Sequence, residues 1–205
     1  RRHSCVGRWK RIGLVHADNV MQPMPETWAA ADGTVITIRP ISAADLALEQ
    51  EFVDGLSAST GYQRLMSARR PSPEELRRFT DIDQERELAL IATTPVQGKE
   101  RQIGVARYVK ESSPGDAEFA IVLSDDWQGR GLGIKLLGSL LAAAKNDGVR
   151  RLVGTTMSEN GGMLALGRKL GFKLAKDPSS ATITNLTMDL AAWSPASAAA
   201  PHRQT

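Results

Sequence analysis

The stretch SDDWQGRGLGIK, residues 124–135, constrains the fold more than any other part of the chain. It leaves a nearly continuous apolar run at 117–123 (AEFAIVL). It enters a helical pattern at 134–145, with Leu136, Leu137, Leu140, Leu141 and Ala144 on one stripe. A buried strand must therefore turn sharply into a helix. Glycines at 129, 131 and 133 permit that turn and, lacking Cβ atoms, let the backbone approach another group closely. N–H groups at such a helix N-terminus favour negative charge. The stretch reads as a pyrophosphate cradle, with Arg130 and Lys135 as supplementary cations. Two familiar phosphate loops do not fit. A P-loop needs Lys after its last glycine, where this chain has Ile134; a dinucleotide fingerprint needs GxGxxG, and the run from Gly129 is GxGxG. A plain glycine-rich strand-to-helix turn remains the alternative.

Around this loop the elements alternate. Strand patterns occur at 34–39 (TVITIR), 87–93 (ELALIAT), 102–109 (QIGVARYV), 117–123, 151–156 (RLVGTT), 172–175 and 182–189 (TITNLTMD). Helical patterns occur at 42–56, at 73–79 behind the capping box Ser72-Pro73-Glu74-Glu75, at 134–145, and at 163–170, where Gly171 stops it. Short loops between consecutive strands imply antiparallel pairing, and the crossover through 134–145 implies a parallel neighbour. The expected fold class is α+β in three layers: a mixed, mostly antiparallel central sheet of about seven strands flanked by about four helices. The domain is expected at 34–190. Residues 1–33 and the Ala-, Ser- and Pro-rich 191–205 read as poorly ordered tails, with Met21 or Met24 as an expected natural start.

Composition narrows the chemistry. The formal charge is +3 over 205 residues, but residues 1–20 alone carry +4 (Arg1, Arg2, Arg8, Lys10 and Arg11 against Asp18), which leaves −1 for the rest. A near-neutral body argues against a nucleic-acid partner. No apolar run approaches the roughly 20 residues of a membrane helix, and no apolar stretch follows the opening arginines as a secretory signal requires. The lone Cys5 forms no internal disulfide, so the cytoplasm is the expected compartment. His3, His16, His202 and Cys5 all fall in the expected tails. The body thus lacks the residues for Ser-His-Asp or Cys-His catalysis and for a His- or Cys-ligated metal, and no metal is expected. General-base work falls to Asp or Glu.

Gln128-x-x-Gly131-x-Gly133 matches the Q/R-x-x-G-x-G/A signature of the GNAT superfamily of N-acetyltransferases. The order SDDWQGRGLG, leucine-rich helix, RRLVGTTMSEN and LGRKLGF is similar to that superfamily over 34–190. Tyr62-Gln-Arg-Leu-Met-Ser67 and Asp116-Ala-Glu-Phe-Ala120 resemble segments of the bacterial protein lysine acetyltransferases that modify acyl-CoA synthetases. The resemblance implies the GNAT fold and acetyl-CoA as co-substrate. It implies a pyrophosphate held at Gln128, Gly129, Arg130, Gly131, Leu132, Gly133, Ile134 and Lys135, and a pantetheine arm beside Ile121, Val122 and Leu123. Asn160 is similar to an asparagine that contacts the cofactor. Its ordinary role at such a position is a helix N-cap, and the two are compatible.

Glu118 stands in an otherwise apolar strand, where a carboxylate is costly unless it is paired or faces a cleft. Partial burial is the expected device for tuning it. The resemblance makes Glu118 the catalytic base for acetyl transfer to a primary amine, a protein lysine first, a small-molecule amine as alternative. A non-catalytic acyl-CoA sensor is the reading without chemistry. One departure is evident: many superfamily members carry an acidic tyrosine seven residues after the asparagine, and here that position is Gly167. Tyr108 is the alternative acid. Arg69-Arg70 and Arg77-Arg78 read as solvated faces near where an acceptor protein docks. Asp125-Asp126 reads as a turn cap rather than a metal site, and Trp127 as either a cover for the loop or core.

Overall fold

The computed structural model describes residues 23–65 and 70–194. They form one eight-stranded sheet. β1 (Glu26–Ala29), β2 (Val35–Pro40), β3 (Glu87–Val96), β4 (Lys99–Lys110) and β5 (Asp116–Leu123) pair antiparallel, each with the next. β5 runs parallel to β6 (Arg151–Met157). β8 (Ser180–Asp189) then lies between β6 and the edge strand β7 (Lys173–Asp177), antiparallel to both. The helices described are α1 (Leu46–Asp54), α2 (Ala58–Leu65), α3 (Pro73–Thr80), α4 (Leu132–Asn146) and α5 (Gly161–Leu170).

Strand alternation sorts side chains onto two faces. Leu88, Leu90 and Ala92 of β3 join the core under α4, with Leu136, Leu137, Leu140 and Leu141. Ala89 and Ile91 face the other way, towards Phe52 of α1, with Val105 and Val122. The expected mixed, mostly antiparallel sheet is present, with one strand and one helix more than the sequence patterns gave.

The extra elements are a short hairpin strand and a helix with a distant cap. β1 lies inside the stretch read as a tail, because four residues are too few to show a period and β2 supplies its partner edge. α2 has a cap that is remote in sequence, Asp125. The helical pattern at 42–56 breaks into a 3₁₀ turn, Ala43–Asp45, followed by α1. Asp45 fixes that turn by accepting from the Ser42 N–H at 2.8 Å and from both terminal nitrogens of Arg39 at 2.8 and 2.9 Å. β3 and β4 meet in a tight hairpin, with Gln97 (φ 51°) and Gly98 (φ 77°) at its tip, so both strands run beyond the expected 87–93 and 102–109. At the C-terminal end, Trp193 is buried in the α4 core and its carbonyl accepts from Lys145 Nζ at 2.7 Å, so the packed unit passes the expected limit at 190. His3, His16, His202 and Cys5 lie outside the described residues.

The site is positioned by a fault in the sheet. β5 pairs with β6 only at Asp116, Ala117 and Glu118, opposite Arg151, Leu152 and Val153. Beyond that the two strands part. The Phe119 ring sits just past the last pair, 5.0 Å from the Phe172 ring and so close to Gly154 that a Cβ there would lie 2.6 Å from Phe119 Cε1. Gly154→Ala is therefore expected to destabilise the chain by about 1–3 kcal/mol through overpacking, read as a lowered Tm. Phe119→Leu in the same chain should recover part of the loss.

Candidate active site

Between the parted strands lies a cavity of about 580 Å³. One wall is β5 from Glu118 to Leu123, another the glycine loop at Gly129, Gly131, Gly133 and Ile134, and a third α5 with Asn160 ahead of it. Glu118, Ile121, Val122, Leu123, Gln128 and Asn160, all singled out in the sequence, thus meet the loop glycines in one place.

The hydrogen-bond phase of β5 determines what its wall offers. Ser124 N–H donates to Ile103 O at 3.0 Å, continuing the β4–β5 register. Antiparallel pairs alternate between bonded and non-bonded, so the even residues of β5 are spent on β4 and the odd ones point their N–H and C=O towards β6. Past the last β6 pair, Ile121 and Leu123 direct these groups into the gap. Gln128 Nε2 reaches Leu123 O at 3.4 Å and Thr60 Oγ1 at 3.3 Å. The remainder of the edge is free to pair with an extended ligand.

The loop provides the second set of donors. Gly129 and Gly131 have φ of 72° and 89°, a region that side chains with a Cβ rarely adopt. Among the described residues, the N–H groups at 129–134 donate to no protein acceptor, and the helix begins without a side-chain cap. Bare amides at the start of a four-turn helix suit an anion. The cationic side chains of Arg130 and Lys135 are paired within the protein. Arg130 bonds Asp32 and stacks its guanidinium 4.2 Å from the Trp127 ring centroid. Lys135 bonds Glu26 at 2.6 Å and its own N–H donates to Gly131 O at 3.2 Å. Leu132 is buried and contributes only its amide. Trp127 both packs in the core and carries Arg130.

The segment before the domain, as the sequence was read, is thus part of the loop's support: Glu26, Trp28 (3.8 Å from the Cβ position of Gly131) and Asp32 all brace it. On the other side Asp125 accepts from Ser57 N–H (3.0 Å), Ser57 Oγ (2.8 Å) and Thr60 Oγ1 (2.7 Å), tying α2 to the loop. Burial works against its charge, but the Ser57 N–H and the Thr60 and Ser57 hydroxyls outweigh burial and hold the carboxyl below the usual carboxylate range. Asp126 pairs with Arg101. Among the described residues no group of three or more His, Cys, Asp or Glu side chains could hold a metal.

Asn160 accepts from Met163 N–H at 3.0 Å as the cap of α5 and also lines the cavity, so both expected roles are sterically available. Glu118 lines it too, but is exposed rather than partly buried, even though its backbone is still paired with Val153 of β6. Gly167 is buried, and a Cβ there would lie 2.7 Å from Leu186 Cδ2. Tyr108 is buried on the α4 face, donating to Asp147 Oδ2 at 2.6 Å; burial and then Asp147 push its pKa well above the ordinary value. It does not line the cavity, which removes it as an acid. Arg70 pairs with Asp54 at 3.0 Å, and Arg77 and Arg78 are exposed. Arg69, and residues 66–67 of the segment similar to lysine acetyltransferases, lie outside the described residues. The cavity also takes in Gln63 and Lys169, from segments already noted for their resemblance, and Thr60, Phe79 and Arg107, which carry no local sequence signal.

Residues 36–173 match the family model of the acetyltransferase (GNAT) domain. The chain belongs to the GNAT acetyltransferase family. It is an acyl-CoA-dependent N-acetyltransferase. This GNAT chain is 32% identical to Acetyltransferase PA5475 of Pseudomonas aeruginosa over 152 residues, 74% of its own length and 82% of the relative's. It is 27% identical to Acetyltransferase Pat of Mycolicibacterium smegmatis over 150 residues, 73% of this chain but only 44% of that one. The crystal structure of the GNAT domain of S. lividans PAT superposes with a TM-score of 0.73 at 25% identity, covering 80% of this chain and 96% of that one. Enzymes of the family use acetyl-CoA, and the bare loop amides and free β5 edge fit a diphosphate with an extended amide-bearing arm.

Two outcomes follow from this geometry. Gly131→Ala forces a Cβ into a left-handed conformation at a cost of about 1–2 kcal/mol, and calorimetry should show CoA affinity reduced by about tenfold. Gly138→Ala, whose Cβ meets nothing within 4 Å, should leave affinity unchanged. For Asp125→Ala the loss of stability should be fully present above the unfolded-state pKa of about 3.9. It should fade as pH falls through the depressed folded-state pKa, when wild type too loses the charge, as read by denaturant unfolding at stepped pH.

Proposed function

We propose that this GNAT chain transfers the acetyl group of acetyl-CoA to the side-chain amine of a protein lysine by direct attack, with Glu118 as general base. One observation carries the reading: Glu118 is the last β5 residue paired to β6, so its carboxylate lines the cavity at the point where the strands open. Among the described residues it has no hydrogen-bond or ion-pair partner, which leaves its lone pairs available. The similarity of 116–120 to protein lysine acetyltransferases, and the likeness to the S. lividans PAT domain, support lysine as acceptor. The exposure of Glu118 suits an amine delivered on a protein surface.

The need for a base is quantitative. A lysine ammonium with pKa about 10.4 is free amine in only roughly one molecule in a few thousand at neutral pH. Glu118 accepts the ammonium proton, directly or through a water, and restores the lone pair. Bound acetyl-CoA supplies the thioester that this lone pair attacks. Residues 129–134 hold the diphosphate on backbone N–H groups. The β5 edge at Ile121 and Leu123 aligns the arm, and Asn160 lies beside it. No side chain is assigned to protonate the departing sulfur, since a thiol of pKa about 8.5 leaves adequately as thiolate.

Glu118→Gln should lower kcat by about 10²–10⁴-fold while CoA affinity, measured calorimetrically, stays that of wild type. The residual rate should climb with pH towards the acceptor's own pKa, since solvent then supplies the free amine. A variant as fast as wild type at pH 7 removes Glu118 from the mechanism.

A further inference from the structure

β6 brings a second unspent edge to the cavity. Its even residues are used on β8: Ser158 N–H donates to Thr182 O at 2.8 Å, continuing the β6–β8 register. Its odd residues therefore point their N–H and C=O towards β5, and Arg151 N–H accordingly donates to Gly115 O at 3.0 Å. Pairing with β5 ends at Val153, which stands opposite Glu118. Thr155 is the next odd residue, about 6.6 Å further along the strand, and it lines the cavity. Its N–H and C=O open into the gap. Side-chain alternation puts Leu152 in the α4 core and turns Val153 and Thr155 to the face that Glu118 occupies. Thr155 is exposed, and among the described residues its hydroxyl has no hydrogen-bond partner.

An amine that loses a proton to Glu118 still has hydrogens to place. A lysine ammonium carries three N–H bonds. One proton passes to the carboxylate, and two N–H groups remain on the nitrogen whose lone pair must face the thioester carbon. Once the amine has left bulk water, an N–H without an acceptor costs free energy, and an N–H that is held fixes the direction of the lone pair. Resting on the acetyl-transfer reading above, we propose that Thr155 positions the attacking amine, its hydroxyl oxygen and its main-chain carbonyl each accepting one of these N–H groups. Both acceptors are neutral and sit on one residue, across the gap from β5 and on the Glu118 face. They define the acceptor class. A primary amine satisfies both; a secondary amine satisfies one and sets its alkyl group against the other. Any residue at this position offers the carbonyl, so the hydroxyl is what threonine adds.

The test uses the full chain with acetyl-CoA and two peptides that differ only in carrying lysine or ε-N-methyl-lysine. A small primary amine and its N-methyl derivative form a second pair. Thr155→Val keeps the β-branched shape and removes the hydroxyl, whereas Thr155→Ser keeps the hydroxyl. Wild type should prefer the primary amine in kcat/KM. Thr155→Val should slow the primary amine by about tenfold and the N-methyl amine by less than about twofold, and so narrow the preference. Thr155→Ser should restore it. Tm and CoA affinity should be those of wild type in both variants. By calorimetry the lysine peptide should bind CoA-loaded Thr155→Val more weakly than CoA-loaded wild type, a readout independent of turnover. A Thr155→Val chain as fast as wild type overturns the proposal. So does an equal loss for both amines, or a loss that Thr155→Ser does not restore, since each marks a purely structural role. The reading of Glu118 is judged separately. A slow Glu118→Gln beside an unaffected Thr155→Val keeps the base and removes Thr155; a fast Glu118→Gln beside Thr155-dependent selectivity does the reverse. Thr155-dependent selectivity on the small amines alone keeps the proposal and removes the protein-lysine acceptor. A wild type that acetylates none of these amines overturns both.

Discussion

The parting of β5 from β6 after three residue pairs governs everything else in the molecule. A strand in the middle of a sheet normally spends its N–H and C=O groups on both neighbours, and leaving them unmet is costly. β6 instead stays with β8, over seven consecutive pairs from Arg151 to Met157, while it leaves β5 after three. The Phe119 ring, pressed against Gly154 and tilted on Phe172, occupies the point of divergence. The unspent hydrogen-bonding capacity of the sheet is thereby gathered at Ile121 and Leu123, beside the loop that has bare amides of its own. An elongated ligand with amides at one end and phosphates at the other answers both deficits.

The loop is held by groups that a ligand does not need. Trp28, Asp32 and Glu26 brace it from one side, Ser57 and Thr60 through Asp125 from the other. Arg130 and Lys135 take part in this bracing, while the loop's backbone dipoles are fixed in advance and, among the described residues, have no protein acceptor. Fixed dipoles need no reorganisation when charge arrives, whereas a flexible Lys or Arg side chain must be ordered first. The cost is a chain that must thread glycine through left-handed conformations at 129 and 131, which is why residues with no Cβ stand there.

What could be read in the sequence was local. The strand, glycine turn and helix around 117–145 are contiguous, and their periods and glycines are visible without knowing what they touch. Glu118 stood out because it interrupted an apolar run, and Asn160 because it preceded a helix. α2, Arg107 and Thr60 were invisible for the opposite reason: each acquires its place from a partner remote in sequence, or from a strand register no single segment encodes, while β1 is too short to show a period. The misjudged burial of Glu118 has the same origin. Partial burial was expected of a carboxylate inside an apolar run, but Glu118 stands exposed beside the cavity, a property of the tertiary setting and not of the seven letters AEFAIVL.

The acid side of the proposed reaction is where packing dictates chemistry. A side chain at 167 would have to displace Leu186 and crowd Leu174, the residues through which α5 seats on β8 and β7, so glycine there is the condition for the close approach of that helix. Tyr108 is turned into the α4 core and committed to Asp147. Among the described residues no tyrosine lines the cavity. A base without a partner acid is sufficient when the leaving group is a thiol, whose conjugate base is stable near neutral pH, and insufficient when it is an alcohol or amine. Among the described residues the cavity has one carboxylate and no phenol, an inventory that suits acyl transfer from sulfur better than from oxygen or nitrogen.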